Sequence, residues 1–99
     1  MAPIPVPPKL ALPVHKSSAG SNALTVSWYS APYAVDYEIQ ISRNYTFTKI
    51  VDQTSVNGAL EYTPAPLLLN TTYYWRVRSI NIYGEKGKWS AYRIFKITQ

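Results

Sequence analysis

Residues 71–80, with the sequence TTYYWRVRSI, decide the fold class of this chain. They are rich in β-branched and aromatic side chains and include neither Gly nor Pro, which predicts an uninterrupted β-strand. Side chains alternate along a strand, so this one has two different faces. The predicted core face carries Tyr73, Trp75, Val77 and Ser79. The opposite, basic face carries Tyr74, Arg76, Arg78 and Ile80.

Six further segments of the chain have strand-like composition or alternation. They are residues 9–14, 23–29, 36–42, 49–56, 60–63 and 89–98. Turn signals separate them at intervals of about 8–12 residues, with Asn57-Gly58 the clearest, and residues 16–22 are predicted to form a loop. No segment shows a helical period. The pattern predicts an all-β protein, a seven-stranded antiparallel β-sandwich.

Length and composition limit the organisation of the molecule. The chain has 99 residues and no Cys, which indicates one domain without disulfides or cysteine-based metal sites. Five of the eight prolines precede residue 14, so residues 1–8 are predicted to be an extended Pro-rich linker to a longer chain. The folded domain is predicted to span residues 9–98. No run approaches about 18 apolar residues, so no membrane insertion is expected.

The positive charge is confined to the last quarter of the sequence. Lys and Arg number ten and Asp and Glu five, which gives a net charge of +5. Four of each fall in residues 1–75, whereas residues 76–99 hold six basic residues and only Glu85. Such an asymmetry predicts either a surface that binds polyanions or a solvated strand face without a partner.

Several motifs of the chain resemble the fibronectin type III family. Trp28 lies on the second predicted strand, where the family has a core Trp. Leu67 and Tyr73 have the six-residue spacing of the family's tyrosine corner, although Leu69 replaces the usual Pro. Asn81-Ile82-Tyr83-Gly84 and Trp89-Ser90 are similar to the elements that follow the corner. The run NTTYYWRVR is especially similar to tandem repeats of bacterial extracellular proteins.

The resemblance implies that the sandwich is immunoglobulin-like, of the fibronectin type III kind. It implies a structural role for four residues, Trp28, Leu67, Tyr73 and Trp75. It also implies a non-catalytic module of a larger secreted or cell-surface protein, which acts as a spacer or as a protein- or carbohydrate-interaction domain. The expected partners are neighbouring domains of the same chain, and the module is expected to be a monomer. The same fold hosts many unrelated functions, so the resemblance indicates fold more strongly than ligand.

No constellation of residues in the sequence indicates an enzyme. His15 is the only His and lies beside a predicted loop, and no nucleophile or orienting group is placed for it. Asp36 and Glu38 share a strand face, where partners on the strand of Arg76 and Arg78 explain them better than glycoside chemistry. No short loop gathers three acids for a metal, and no Gly-rich phosphate loop exists. We expect no catalytic residue, no metal and no cofactor.

Two surfaces are candidates for binding. One is an Arg–aromatic ladder, in which guanidinium groups and aromatic rings of the last two strands interleave and which serves either to stiffen the sheet or to bind a ligand. Its members are Tyr74, Arg76, Arg78, Trp89 and Tyr92. The other is a loop end with Tyr33, Tyr83, Lys86 and Lys88. Nucleic acid is not an expected partner, because no RNP-like motif or Lys-rich tail accompanies the arginines.

Those surfaces leave two alternatives to the spacer. One is a specific recognition module for a protein or a carbohydrate, and the other is an engineered binding scaffold that uses the Tyr/Lys-rich loop end. Residues Asn44-Tyr45-Thr46 and Asn70-Thr71-Thr72 also match the glycosylation sequon, which matters only in a source that glycosylates.

Overall fold

The computed structural model describes residues 5–20 and 24–98, and within them the chain forms two β-sheets and no helix. The strands are β1 (Leu10–Leu12), β2 (Ser17–Ala19), β3 (Val26–Trp28), β4 (Asp36–Ser42), β5 (Ile50–Val56), β6 (Glu61–Tyr62), β7 (Thr71–Ile80) and β8 (Arg93–Ile97). The smaller sheet has the order β1-β3-β6 and the larger the order β2-β8-β7-β4-β5. The prediction of an all-β, immunoglobulin-like sandwich is confirmed.

The core lies between the two sheets and is built from the alternating faces of their strands. β3 contributes Val26 and Trp28, and β4 contributes Tyr37, Ile39 and Ile41, all buried. β7 and β8 complete the core with Tyr73, Trp75, Val77, Phe95 and Ile97. Burying this apolar surface is the main driving force for folding, at about 25 cal/mol per Å² removed from water.

The predicted count of seven strands was approximate, because the described residues form eight strands. The additional strand is β2, which lies within the predicted loop 16–22 and pairs in parallel with β8 through Ser17↔Phe95 and Ala19↔Ile97. Its sequence, Ser-Ser-Ala, has too little apolar alternation to signal a strand. Positions 21 and 22 of that predicted loop lie outside the described residues, as does position 23 of the next predicted strand.

The remaining strand bounds differ from the prediction mainly at the ends of the strands. β4 and β7 have the predicted bounds and pair with each other over seven residues. β8 is shorter than the predicted strand 89–98, since residues 89–92 leave the strand conformation. They still follow β7, because Ser90 N donates to Val77 O at 2.8 Å and Val77 N donates to Ser90 Oγ at 3.1 Å.

The N-terminal segment makes contacts that a free linker would not make. Of the predicted linker 1–8, positions 1–4 lie outside the described residues. Pro5 and Pro8 are buried, and the hydroxyl of Ser79 donates a hydrogen bond to Val6 O at 2.8 Å. Residues 5–8 form no strand, and they pack on the end of β7.

Candidate functional site

The outer face of the larger sheet carries the Arg–aromatic ladder, and β7 positions its arginines. The Cζ of Arg76 lies 4.5 Å from the ring centroid of Trp89, and the Cζ of Arg78 lies 4.3 Å from the same ring. Trp89 reaches this face because the segment 87–90 remains hydrogen-bonded to β7. The indole therefore holds two cations by cation–π attraction, worth about 0.5–2 kcal/mol each, more when desolvated.

The Arg76 end of the ladder contains Phe47, a residue that the sequence did not predict to belong to it. Phe47 was assigned to a connection, yet it is buried, and the Cζ of Arg76 lies 4.0 Å from its ring centroid. Tyr92 connects this ring to Tyr74, with centroid distances of 6.3 Å to Phe47 and 5.5 Å to Tyr74. The only signal was an aromatic residue in a polar loop, and its burial depends on strands distant in sequence.

A polar network across three strands holds the two arginines in place. Arg78 Nε donates to Glu38 Oε1 at 2.6 Å, and Arg76 Nε donates to Gln40 Oε1 at 2.9 Å. Gln53 of β5 links the two ends, since it accepts from Gln40 at 3.2 Å and donates to Glu38 at 3.1 Å. Asp36 and Glu38 were interpreted as partners of the strand that carries Arg76 and Arg78. Glu38 pairs with Arg78, while Arg76 is bound by a neutral amide.

Burial and neighbouring charges shift the pKa values of two residues in this network. Burial would raise the pKa of Glu38, but hydrogen bonds from Gln53 and Arg78 and the charges of Arg78 and Lys86 outweigh it and lower that pKa. The pKa of Arg76 is lowered by burial and by the neighbouring charge of Arg78, and an arginine still remains charged. Glu38 is therefore a carboxylate at neutral pH. Its negative charge is compensated by Arg78 and Lys86 on the same face of the sheet.

The candidate binding loops lie at one end of the sandwich, but their four residues are not one group. Val35 N donates to Ile80 O at 2.9 Å, which brings the base of the Tyr33 loop beside the base of the Tyr83 loop. Tyr33 is 67% exposed and Tyr83 is 71% exposed. Lys88 is also exposed, whereas Lys86 turns to the ladder, with its Nζ 3.7 Å from Glu38 Oε1.

The residues assigned structural roles are placed in the core. Trp28 and Trp75 are buried on opposite sheets, and Leu67 packs against the same cluster. The hydroxyl of Tyr73 accepts a hydrogen bond from Leu68 N at 3.0 Å, the geometry of a tyrosine corner. This bond ties the loop before β7 to the strand itself.

Two basic or titratable residues that were interpreted as solvated have structural partners. Arg93 Nη1 donates to Ala11 O at 2.7 Å and to Pro13 O at 3.2 Å, so it fastens the segment between β1 and β2. His15 is exposed and accepts a hydrogen bond from Ile94 N at 3.1 Å. Neither position could be recognised from the sequence, because each partner lies about 80 residues away in the chain.

Residues 5–20 and 24–98 contain no group of three or more His, Cys, Asp or Glu that could hold a metal ion. A helix long and apolar enough to cross a membrane does not occur among the same residues.

The fold agrees with what a family comparison finds. Residues 20–98 match the model of the Rha78A-like N-terminal immunoglobulin domain. The chain belongs to this family. The Rha78A-like match covers β3 to β8, and therefore every member of the ladder. No curated protein matches the chain significantly.

Solved structures similar to this Rha78A-like domain show the same sandwich. The FN5 domain of Drosophila Lar is 22% identical with a TM-score of 0.65, covering 95% of this chain and 99% of that one. A Fn3-like protein from Clostridium thermocellum is 20% identical with a TM-score of 0.63, covering 98% and 94%. The fibronectin type III resemblance is thereby confirmed for the fold.

A third similar structure is much longer than this chain. It is the Streptomyces avermitilis alpha-L-rhamnosidase complexed with L-rhamnose, 21% identical with a TM-score of 0.57. The match covers 91% of this chain and 10% of the rhamnosidase chain. At these identities the likeness concerns the fold alone.

Proposed function

We propose that this domain is a non-catalytic module of a larger secreted or cell-surface protein that acts on carbohydrate. The observation that carries the proposal is its membership of the Rha78A-like N-terminal immunoglobulin domains. The match to a tenth of a rhamnosidase chain supports a small accessory domain beside a much larger remainder. Within such a protein the module acts as a rigid spacer that connects and orients its neighbours.

The ladder supports a mechanical role for the module. Its two arginines already contact side chains of the domain itself, so their guanidinium groups are not free to bind a ligand. These side chains are Trp89, Phe47, Glu38 and Gln40. Interlocking side chains across β5, β4 and β7 resist shear between these strands, because each contact would have to break for one strand to slide. A stiff outer face suits a domain that holds two neighbours at a fixed separation.

A deletion in the full-length protein that carries this chain tests the proposal. Removing residues 5–98 should leave kcat on a small aryl glycoside within about twofold of the intact protein. The isolated 99-residue chain should fold cooperatively and hydrolyse no aryl glycoside. Hydrolysis by the isolated chain would contradict the proposal. So would loss of kcat in a deletion variant whose remaining domains keep their circular dichroism spectrum.

The second candidate function is specific recognition through the loop end. The exposure of Tyr33 and Tyr83 on adjoining loops favours it, because exposed tyrosines on a rigid scaffold make good contact residues. A glycan array and a pull-down with Tyr33→Ala and Tyr83→Ala variants test it. Binding that both variants lose supports recognition, and unchanged binding in both variants refutes it.

A further inference from the structure

An open groove runs along the edge of the sandwich where the two sheets approach each other. It measures about 540 Å³, within the range of about 300–1,000 Å³ that is usual for ligand sites. The segment leading into β1 and the end of β3 form one side, and the segment leading into β8 forms the other. We call it the seam groove, and its principal lining residues are Pro8, Lys9, His15, Tyr29, Tyr92 and Arg93.

Hydrogen bonds from both sheets hold the walls of the seam groove in place. Tyr29 N donates to Lys9 O at 2.9 Å, which joins two lining residues directly. Arg93 Nη1 and Ile94 N reach across the seam to Ala11 O and to His15 Nδ1. A ligand would therefore find the walls already positioned, and little conformational entropy would be lost on binding.

Two tyrosines give the groove amphipathic walls. Tyr29 is 62% exposed and Tyr92 is 40% exposed, and neither hydroxyl has a hydrogen-bond partner among residues 5–20 and 24–98. Tyr92 is buttressed by the edge-on ring of Tyr74 at 5.5 Å. A tyrosine offers an apolar ring and a polar tip, which matches a sugar ring with its C–H face and its rim of hydroxyls.

The charge on the groove has one sign. Lys9 and Arg93 line it, and no Asp or Glu of the described residues does. The ammonium of Lys9 has no ion-pair partner within the described ranges, in contrast to Lys86 and Arg78, which face Glu38. A ligand with carboxylates would therefore gain charge complementarity here without displacing an internal ion pair.

The seam groove continues into a second concavity, so the candidate site is elongated. A second concavity of about 190 Å³ shares Pro7, Pro8, Lys9 and Tyr29 with the seam groove and continues to Pro32. Tyr29 is thus a wall common to both. A chain of several units could pass over this ring and occupy both concavities, whereas a single monosaccharide would leave one empty.

We propose that the seam groove binds an acidic oligosaccharide, with uronate carboxylates toward Lys9 and Arg93 and sugar rings against Tyr29 and Tyr92. The choice of a saccharide over an acidic peptide rests on the function proposed above. The groove, its positive charge and its exposed tyrosines are observed in the structure and do not depend on the proposed function.

The test titrates tetragalacturonate into the ¹⁵N-labelled 99-residue chain and follows its amide resonances, with cellotetraose as the neutral control. We expect saturable shifts centred on Lys9, Tyr29, Tyr92 and Arg93, with a Kd of about 0.01–1 mM that weakens with added salt. Lys9→Ala and Tyr29→Ala should each weaken binding about tenfold. Lys96→Ala and Tyr45→Ala replace the same residue types at exposed positions outside both concavities, and they should not change the affinity.

Each opposite result overturns part of the proposal. Absence of shifts at 10-fold molar excess and about millimolar tetragalacturonate would refute a saccharide site. Equal affinity for cellotetraose would refute the acidic preference, and equal affinity for a hexaglutamate peptide would refute the choice of saccharide. Because these measurements use the isolated chain, their failure is distinguishable from failure of the deletion experiment on the full-length protein.

Discussion

Replacing Glu38 by Gln removes one negative charge from the centre of the polar network and keeps its shape. Glu38 is only 6% exposed, and its carboxylate receives Arg78 Nη2 at 2.5 Å and Gln53 Nε2 at 3.1 Å. The Gln side chain can still accept a hydrogen bond from Arg78. The variant therefore isolates the value of the charge from the value of packing.

The expected loss of stability lies between that of a surface ion pair and that of a buried one. Removing one partner of a fully buried pair costs about 3–5 kcal/mol, whereas exposed pairs are worth about 0–1 kcal/mol. The Arg78 side chain is 22% exposed and also rests on Trp89, so water and the indole compensate part of the loss. We expect a cost of about 2 kcal/mol, which lowers Tm by about 8–16 °C for a domain of this size.

The same cost should depend on pH with a defined sign. The pKa of Glu38 in the folded chain is lowered below the ordinary value of 4.5, so ionised Glu38 stabilises the fold above that pH. This contribution is lost as the pH falls below about 4.5 through the folded-state pKa. The difference between wild type and Glu38→Gln should therefore be full at pH 7 and should shrink toward pH 3.

Urea unfolding followed by tryptophan fluorescence at pH 7 and pH 3 provides the assay, and Glu61→Gln is the matched control. Glu61 lies exposed on β6 without an ion-pair partner among the described residues, so its replacement should change stability by less than about 0.5 kcal/mol. The reasoning is refuted if both variants lose the same stability. It is equally refuted if the loss for Glu38→Gln is the same at the two pH values.

Three further substitutions test other parts of the structure. Tyr73→Phe should lose about 1 kcal/mol in urea unfolding, because Leu68 N loses its acceptor, and an unchanged midpoint would show that the corner bond is not stabilising. Trp89→Ala should cost about 2–4 kcal/mol through lost packing and cation–π contacts, and a cost no larger than that of Tyr83→Ala would argue against a stabilising ladder. Arg93→Met should speed hydrogen exchange in β2 by at least about tenfold, since it releases the carbonyls of Ala11 and Pro13, and unchanged exchange would contradict that fastening role.

The features that could be predicted from the sequence are those set by residue alternation and composition within a strand, such as the bounds of β4 and β7. The core faces of β4 and β7 follow from strict alternation, because a register slip by one residue would bury charges and expose aromatic side chains. The position of Glu38 opposite Arg78 then follows from the family arrangement of those two strands. These features depend on residues within one strand or on neighbouring strands, and the observed register has them.

Features that depend on unrelated parts of the chain were not predictable in the same way. Phe47 lies among polar residues in the sequence, yet its side chain is buried in the structure. β2 is a strand only because it can pair with the edge of β8. The seam groove is formed by residues near positions 9, 29 and 92, which meet only after both sheets are assembled. Local patterns carry no information about such meetings, because alternation within one segment does not show which distant segments lie beside it.

The arginines of β7 stabilise the fold through contacts within the domain, whereas Lys88 and Lys96 are exposed to solvent. The most direct measurement compares the unfolding free energy of two double variants that remove the same charge. Arg76→Met with Arg78→Met should lose about 3 kcal/mol or more, because ion-pair, hydrogen-bond and cation–π contacts disappear together. Lys88→Met with Lys96→Met, at exposed positions, should lose less than about 1 kcal/mol. Equal losses in the two variants would contradict the claim.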